Sequence, residues 1–150
     1  MELVHESRFT AHLDPATIDI GPGPYGARAV ATVTGGRFDG ERLRGDVQGA
    51  GADWLLVGAD GFVRVDVRAQ LVTDDGAGIY VTYLGLLELN DATATAMATG
   101  GETSFDDQYF RTTPRLESGD PRYAWVNTTM FVARGRLIPG GVEYELFRLT

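Results

Sequence analysis

The chain has 150 residues, of which 43% are hydrophobic and 23% charged, and its net charge is −8. That size and balance suit one globular domain with a single core, and the acidic excess argues against nucleic acid or anionic membrane as a partner, since both need a basic surface. All thirteen basic residues are Arg and there is no Cys, which excludes Schiff-base lysines, P-loop lysines, disulfides and thiolate chemistry.

The first strand is expected at about Leu3 to Leu13, ending at Asp14-Pro15. The opening residues lack a basic stretch followed by an apolar run, so no secretory signal is read there. No apolar segment approaches the ~20 residues that cross a bilayer, and a cytoplasmic protein is expected. Gly21 to Arg28 (GPGPYGAR) reads as a loop, because Pro22 and Pro24 cannot donate to a ladder. Strands follow at Arg28 to Thr34, around Leu43 to Val47, at Asp53 to Val57, Phe62 to Thr73 and Gly78 to Glu88. Asp60-Gly61 and Asp75-Gly76 supply turn chemistry between the last three. Ala92 to Gly100 admits at most a short helix, Thr being a weak helix former. The remaining strands are placed at Tyr109 to Pro114, Tyr123 to Arg134 and Val142 to Leu149, the last two joined through Pro139-Gly140-Gly141.

The strand Phe62 to Thr73 is the most informative. Val63, Val65, Val67, Ala69 and Leu71 share one face, and Arg64, Asp66, Arg68 and Gln70 share the other, the period-2 pattern of a half-buried antiparallel strand. Short strands and twenty glycines predict an all-β architecture: a single-domain, mainly antiparallel β-barrel over residues 1–150, calycin-like, with an internal or mouth-facing pocket. Closure is favoured because it removes sheet edges. In such a barrel the polar row meets water outside or lines a cavity inside, and the inward orientation is the one on which the candidate chemistry is built.

The chain resembles domain-of-unknown-function family 3237. The resemblance rests on Gly26-Ala27-Arg28, GGRFDGERLRG at Gly35 to Gly45, and Gly51-Ala52-Asp53-Trp54. It continues through Asp60-Gly61, Asp66-Val67-Arg68, Asp74-Asp75-Gly76, Tyr109-Phe110-Arg111 and Tyr123-Ala124-Trp125-Val126-Asn127. It covers the chain from about Phe9 to Leu146 and implies a small β-barrel. Leu87 stands where the family pattern has an Arg, which implies a less cationic pocket. The family carries no settled activity, and a fold does not fix chemistry.

Arg68 is the first candidate site residue. A mid-strand charge is expensive to bury unpaired, and a guanidinium can hold a carboxylate, enolate or phenolate oxygen. Its alternative is a surface pairing with Asp66 or a neighbouring Glu. Asp53, beside Trp54, suits proton transfer if desolvation raises its pKa. Alternatively it bonds the amides of the glycine turn while Trp54 fills core. Tyr80 and Tyr83 lie on opposite strand faces, so at most one, taken as Tyr83, looks inward. Arg111, on a face with Tyr109, is a second anion-binding candidate or a partner of Asp106 or Asp107. Tyr123, Trp125 and Asn127 share one parity and either line a pocket or pack in the core. Asp74-Asp75-Gly76 reads as a turn, and no metal site or cofactor is expected. Asn90 to Asp107, long for a compact domain, is a candidate lid.

These residues suggest a cofactor-free acid/base enzyme, an isomerase, cyclase or lyase, acting on a small carbonyl-bearing or phenolic, partly apolar substrate. Arg68 and Arg111 would stabilise oxyanion charge, Asp53 or Tyr83 would move the proton, and Trp54 and Trp125 would wall the pocket. A non-catalytic carrier and a pocketless homomeric assembly protein are the alternatives. The expected partner is a small molecule, with homo-oligomerisation possible.

Overall fold

The computed structural model describes residues 1–150. Ten strands run in chain order: β1 (Leu3–Leu13), β2 (Ile18–Gly23), β3 (Gly26–Asp39), β4 (Gly45–Val57), β5 (Phe62–Thr73), β6 (Gly78–Glu88), β7 (Phe110–Thr112), β8 (Arg115–Glu117), β9 (Phe131–Ile138) and β10 (Gly141–Leu149). One helix, α1, spans Asp91–Thr99, and a 3-10 helix spans Pro121–Thr128. The ladder β10-β9-β7-β6-β5-β4-β3 is closed by β1, which pairs with β10 on one side and β3 on the other. β7 and β8 lie end to end along β6, so the barrel wall has eight lanes, all antiparallel. β2 is an overhang that pairs with β3.

The inner wall follows from strand alternation. Val63, Val65, Val67, Ala69 and Leu71 are all buried inside the barrel. The other parity of β5 faces the outer wall, with Asp66 and Arg68 exposed and Arg64 and Gln70 half-buried. The inward orientation expected for the polar row is therefore overturned. Burying the three valines and Leu71 is worth about 1.5–3 kcal/mol each, whereas burying Arg64, Asp66 and Arg68 would cost several kcal/mol per charge.

Phe9 stacks on Phe38 at 4.4 Å and on Tyr144 at 4.6 Å, and Tyr83 and Phe110 meet Tyr144 edge-on at 5.4 and 5.2 Å. This aromatic cluster occupies the middle of the barrel.

Three expected elements differ. Part of the proline-broken loop pairs as β2, which carries Pro22 without losing a barrel hydrogen bond because it lies at the sheet margin. Leu43–Val47 and Asp53–Val57 are not separate strands: β4 runs through both, with a bulge between Gln48 and Ala52. The segment from Tyr123 is not strand but 3-10 helix, begun by Pro121 after Asp120, whose side chain accepts from the Arg122 amide. The short helix expected near Ala92 is present as α1. Asn90 caps it in a reciprocal pair with Thr93, and Gly100 ends it in the left-handed region at φ 65°.

Candidate functional site

Between the aromatic cluster and one end of the barrel lies an apolar cavity of about 300 Å³. Asp53 is the one charged residue among its eighteen lining residues; Tyr83 and Tyr144 add hydroxyls, and aliphatic side chains such as Val67, Leu55 and Leu87 supply most of the rest. The ladder registers explain this grouping. Ala31, Asp53, Val67 and Tyr83 stand opposite one another across β3, β4, β5 and β6, so one inner row carries the carboxyl and one phenol.

Local sequence sets the orientation of Asp53. A Cβ at Gly51 would lie 2.6 Å from the Arg68 carbonyl oxygen; glycine lets β4 close on β5 where the bulge ends. The next residues then alternate, Asp53 inward and Trp54 outward. Asp53 Oδ1 accepts the Asp66 amide at 2.9 Å, its one hydrogen bond within the protein. Burial pushes its pKa up to about 6, only partly offset by that amide bond, with the Asp66 charge adding to the rise. A carboxyl tuned so close to neutrality can both accept and return a proton. Burial likewise drives the Tyr83 and Tyr144 phenols far above their ordinary range. Both are neutral hydroxyls at any physiological pH, able to donate but not to serve as phenolate bases.

Met97 of α1 lines the cavity while about half of it faces solvent. The helix thus stands at the cavity's end, and the Asn90 side chain ties its base to the Asp107 carbonyl at 2.8 Å.

The other expected site residues lie elsewhere. Arg68, Arg111, Trp54 and Tyr109 are on the outer wall, exposed to solvent. The Arg111 guanidinium lies 5.1 Å from the Tyr109 ring and donates to the Phe110 carbonyl at 2.9 Å. Because Tyr123, Trp125 and Asn127 sit in a 3-10 helix, they share no strand face and line no common pocket. Tyr123 donates to Asp75 Oδ1 at 2.8 Å, pinning the β5–β6 turn. Trp125 packs near Phe131 beneath Arg42, 4.0 Å from its ring. Asn127 brackets the Ser118 backbone, accepting its amide at 2.8 Å and donating to its carbonyl at 3.0 Å. Asp53 and Tyr83 are brought together in the internal cavity, while Trp54, Tyr109 and Arg111 line an open groove on the outer wall. Tyr144 is not among the residues expected from sequence, though its signal is present: a phenol on the apolar parity of Val142-Glu143-Tyr144-Glu145-Leu146.

A family model described as "Protein of unknown function (DUF3237)" matches residues 1–149. The UPF0311 protein RPA1785 of Rhodopseudomonas palustris is 31% identical over 107 residues, 71% of this chain and 70% of that protein. Its crystal structure superposes with a TM-score of 0.88, covering 99% of this chain and 97% of the other at 26% identity. A beta-barrel like protein from Acinetobacter baumannii AYE matches with a TM-score of 0.85 at 31% identity over 99% and 96% of the two chains. A crystal structure described as an enzyme from Penicillium herquei shares the fold, with a TM-score of 0.67 at 21% identity over 99% and 96%.

Proposed function

From the premise that this chain belongs to domain-of-unknown-function family 3237, we propose that its barrel binds a small, largely apolar, uncharged molecule and moves a proton on it through Asp53. The observation that carries this reading is a lone desolvated carboxyl, held near neutrality, in a cavity whose other polar groups are neutral phenols. Maintaining such a group against its desolvation cost is unusual without a chemical use for it. An occupant of about ten to fifteen non-hydrogen atoms fits a cavity at the lower end of ligand-pocket sizes. Asp53, ionised, would repel an anion, and no cationic side chain lines the cavity. Substrates are therefore neutral ketones, enones or phenols rather than carboxylates or phosphates.

In this reading Asp53 abstracts or returns the proton, and the Tyr83 and Tyr144 hydroxyls donate to oxygen that gains charge. The reaction class is isomerisation, cyclisation or lyase-type elimination without a cofactor. That the Penicillium herquei relative of this fold is an enzyme supports catalytic use of the barrel.

The test is deuterium uptake at the methyl carbon of acetophenone and related neutral aryl ketones, followed by NMR in heavy water. The parent protein accelerates uptake; Asp53→Asn loses about 100-fold or more of that acceleration while still binding the ketone. Binding without uptake in the parent identifies a carrier instead. Uptake unchanged in Asp53→Asn removes the carboxyl from the mechanism.

A further inference from the structure

The internal cavity has a direction. Ala31, Asp53, Val67 and Tyr83 form one row across β3 to β6. The remaining cavity residues of β4, β5 and β6 all lie toward the end of the barrel that carries the β4–β5 turn and α1. The carboxyl and the Tyr83 phenol therefore sit at the inner end. The outer end is rimmed by Leu13, Leu55, Val57, Leu89 and Val142, all half-buried, and by the exposed Met97. No polar side chain stands at this rim.

The stretch of β5 from Val63 to Val67 covers about 10 Å along the barrel axis once strand rise and tilt are applied. A volume of about 300 Å³ over that depth leaves a cross-section of about 30 Å², which holds one hydrocarbon chain at van der Waals spacing and not two abreast. Inward the space stops. Ala11, Val33, Val67 and Tyr83 also line a second apolar void, of about 10 Å³, on their far side, with room for about one water and for no alkyl chain. Phe9 closes it. Its ring lines this void and is stacked between Tyr144 on the cavity side, at 4.6 Å, and Phe38, at 4.4 Å.

We infer that the occupant is a neutral molecule with a small carbonyl head on a single extended hydrocarbon tail, taken head first with the tail running out through the rim, and that Phe9 limits what the head can carry. Such a pose rests on the reading that the cavity holds a ketone against Asp53. A methyl beside the carbonyl fits the space before Tyr144 and Phe9. A longer second arm does not, having neither room inward nor a second lane outward. The tail meets no such limit: the rim is apolar and open, so a chain gains affinity until it emerges into water.

Methyl heptyl ketone and dibutyl ketone, isomers of the same formula, separate head from tail. In NMR titrations of the parent chain the methyl ketone binds about tenfold or more tighter, since dibutyl ketone must leave about two or three methylenes in water. From methyl propyl to methyl heptyl ketone, affinity rises about three- to fourfold per methylene. Bound methyl heptyl ketone shows nuclear Overhauser contacts from its acyl methyl to the Tyr144 ring and from its tail methyl to Met97. Phe9→Ala, verified as folded by circular dichroism, brings the two isomers to within about threefold, and the milder Phe9→Leu moves them in the same direction. Isomers of equal affinity in the parent, or a tail methyl against Tyr144, overturn the head-first pose and leave the proton chemistry of Asp53 standing. Discrimination unchanged in both Phe9 variants overturns the role of Phe9. Failure of either ketone to bind overturns the ligand reading and this pose with it. Head-first binding without deuterium uptake at the acyl methyl supports the pose and removes only the proton transfer.

Discussion

Replacing Asp53 by Asn should make the protein more stable at pH 8, and the gain should vanish in acid. In the folded chain burial holds the Asp53 pKa near 6, against an ordinary value of 3.8. The folded state therefore holds this proton more tightly than the unfolded state does. As pH rises from about 4 to about 6 the parent loses stability, and above that window the full penalty of an ionised, desolvated carboxylate persists. A rise of that size corresponds to up to about 3 kcal/mol. An amide keeps the acceptor for the Asp66 amide and sheds the charge, at a smaller desolvation cost of its own, leaving an expected gain of about 1–3 kcal/mol at pH 8. For a chain of this length that is roughly 2–4 °C in Tm per kcal/mol. Urea unfolding of both proteins between pH 4 and 8 reads the effect directly, as curves that converge near pH 4, separate as pH rises to about 6 and stay apart above it. A variant no more stable than the parent at pH 8, or a gain of equal size at every pH, refutes the claim that Asp53 is a desolvated carboxyl. A stabilising substitution at a site residue is the expected sign of function held at the expense of stability.

Other outcomes follow from the same geometry. Tyr123→Phe removes the hydrogen bond that pins the β5–β6 turn to the 3-10 helix and should cost about 1 kcal/mol in urea unfolding, with cavity binding unchanged. Gly51→Ala places a methyl 2.6 Å from the Arg68 carbonyl oxygen and should cost about 2 kcal/mol or more by forcing β4 from β5; loss of Asp53 titration near pH 6 should accompany it. Arg68→Leu, on the outer wall, should leave proton exchange on a bound ketone within about twofold of the parent. Met97→Ala should speed ligand entry and exit, seen as faster exchange in NMR titrations, because this side chain stands between cavity and solvent.

The barrel is legible in the sequence because strand alternation reports inside from outside. Valines and a leucine on one parity of β5 specify a buried face, and turn residues such as Asp75-Gly76 mark its end. What alternation does not say is which face holds the chemistry. Arg68 stands out as a charge in mid-strand, yet the same strand's aliphatic residues outweigh it and turn it outward. Asp53 is legible through its place between Gly51 and Trp54: glycine at a close approach, then one residue inward and one outward. Tyr144 is less so, since a phenol in an apolar row resembles any core aromatic until Tyr83 is seen against it. The expected row of Tyr123, Trp125 and Asn127 fails for a local reason. Asp120-Pro121 starts a 3-10 turn, and strand parity loses its meaning there.

A crystal grown with a neutral aryl ketone tests the central claim most directly. The ketone should lie inside the barrel against Val67, with its reactive carbon beside the Asp53 carboxyl and its oxygen within hydrogen-bond reach of a tyrosine hydroxyl. Ketone bound on the outer wall, with the interior closed over by its own side chains, would contradict it.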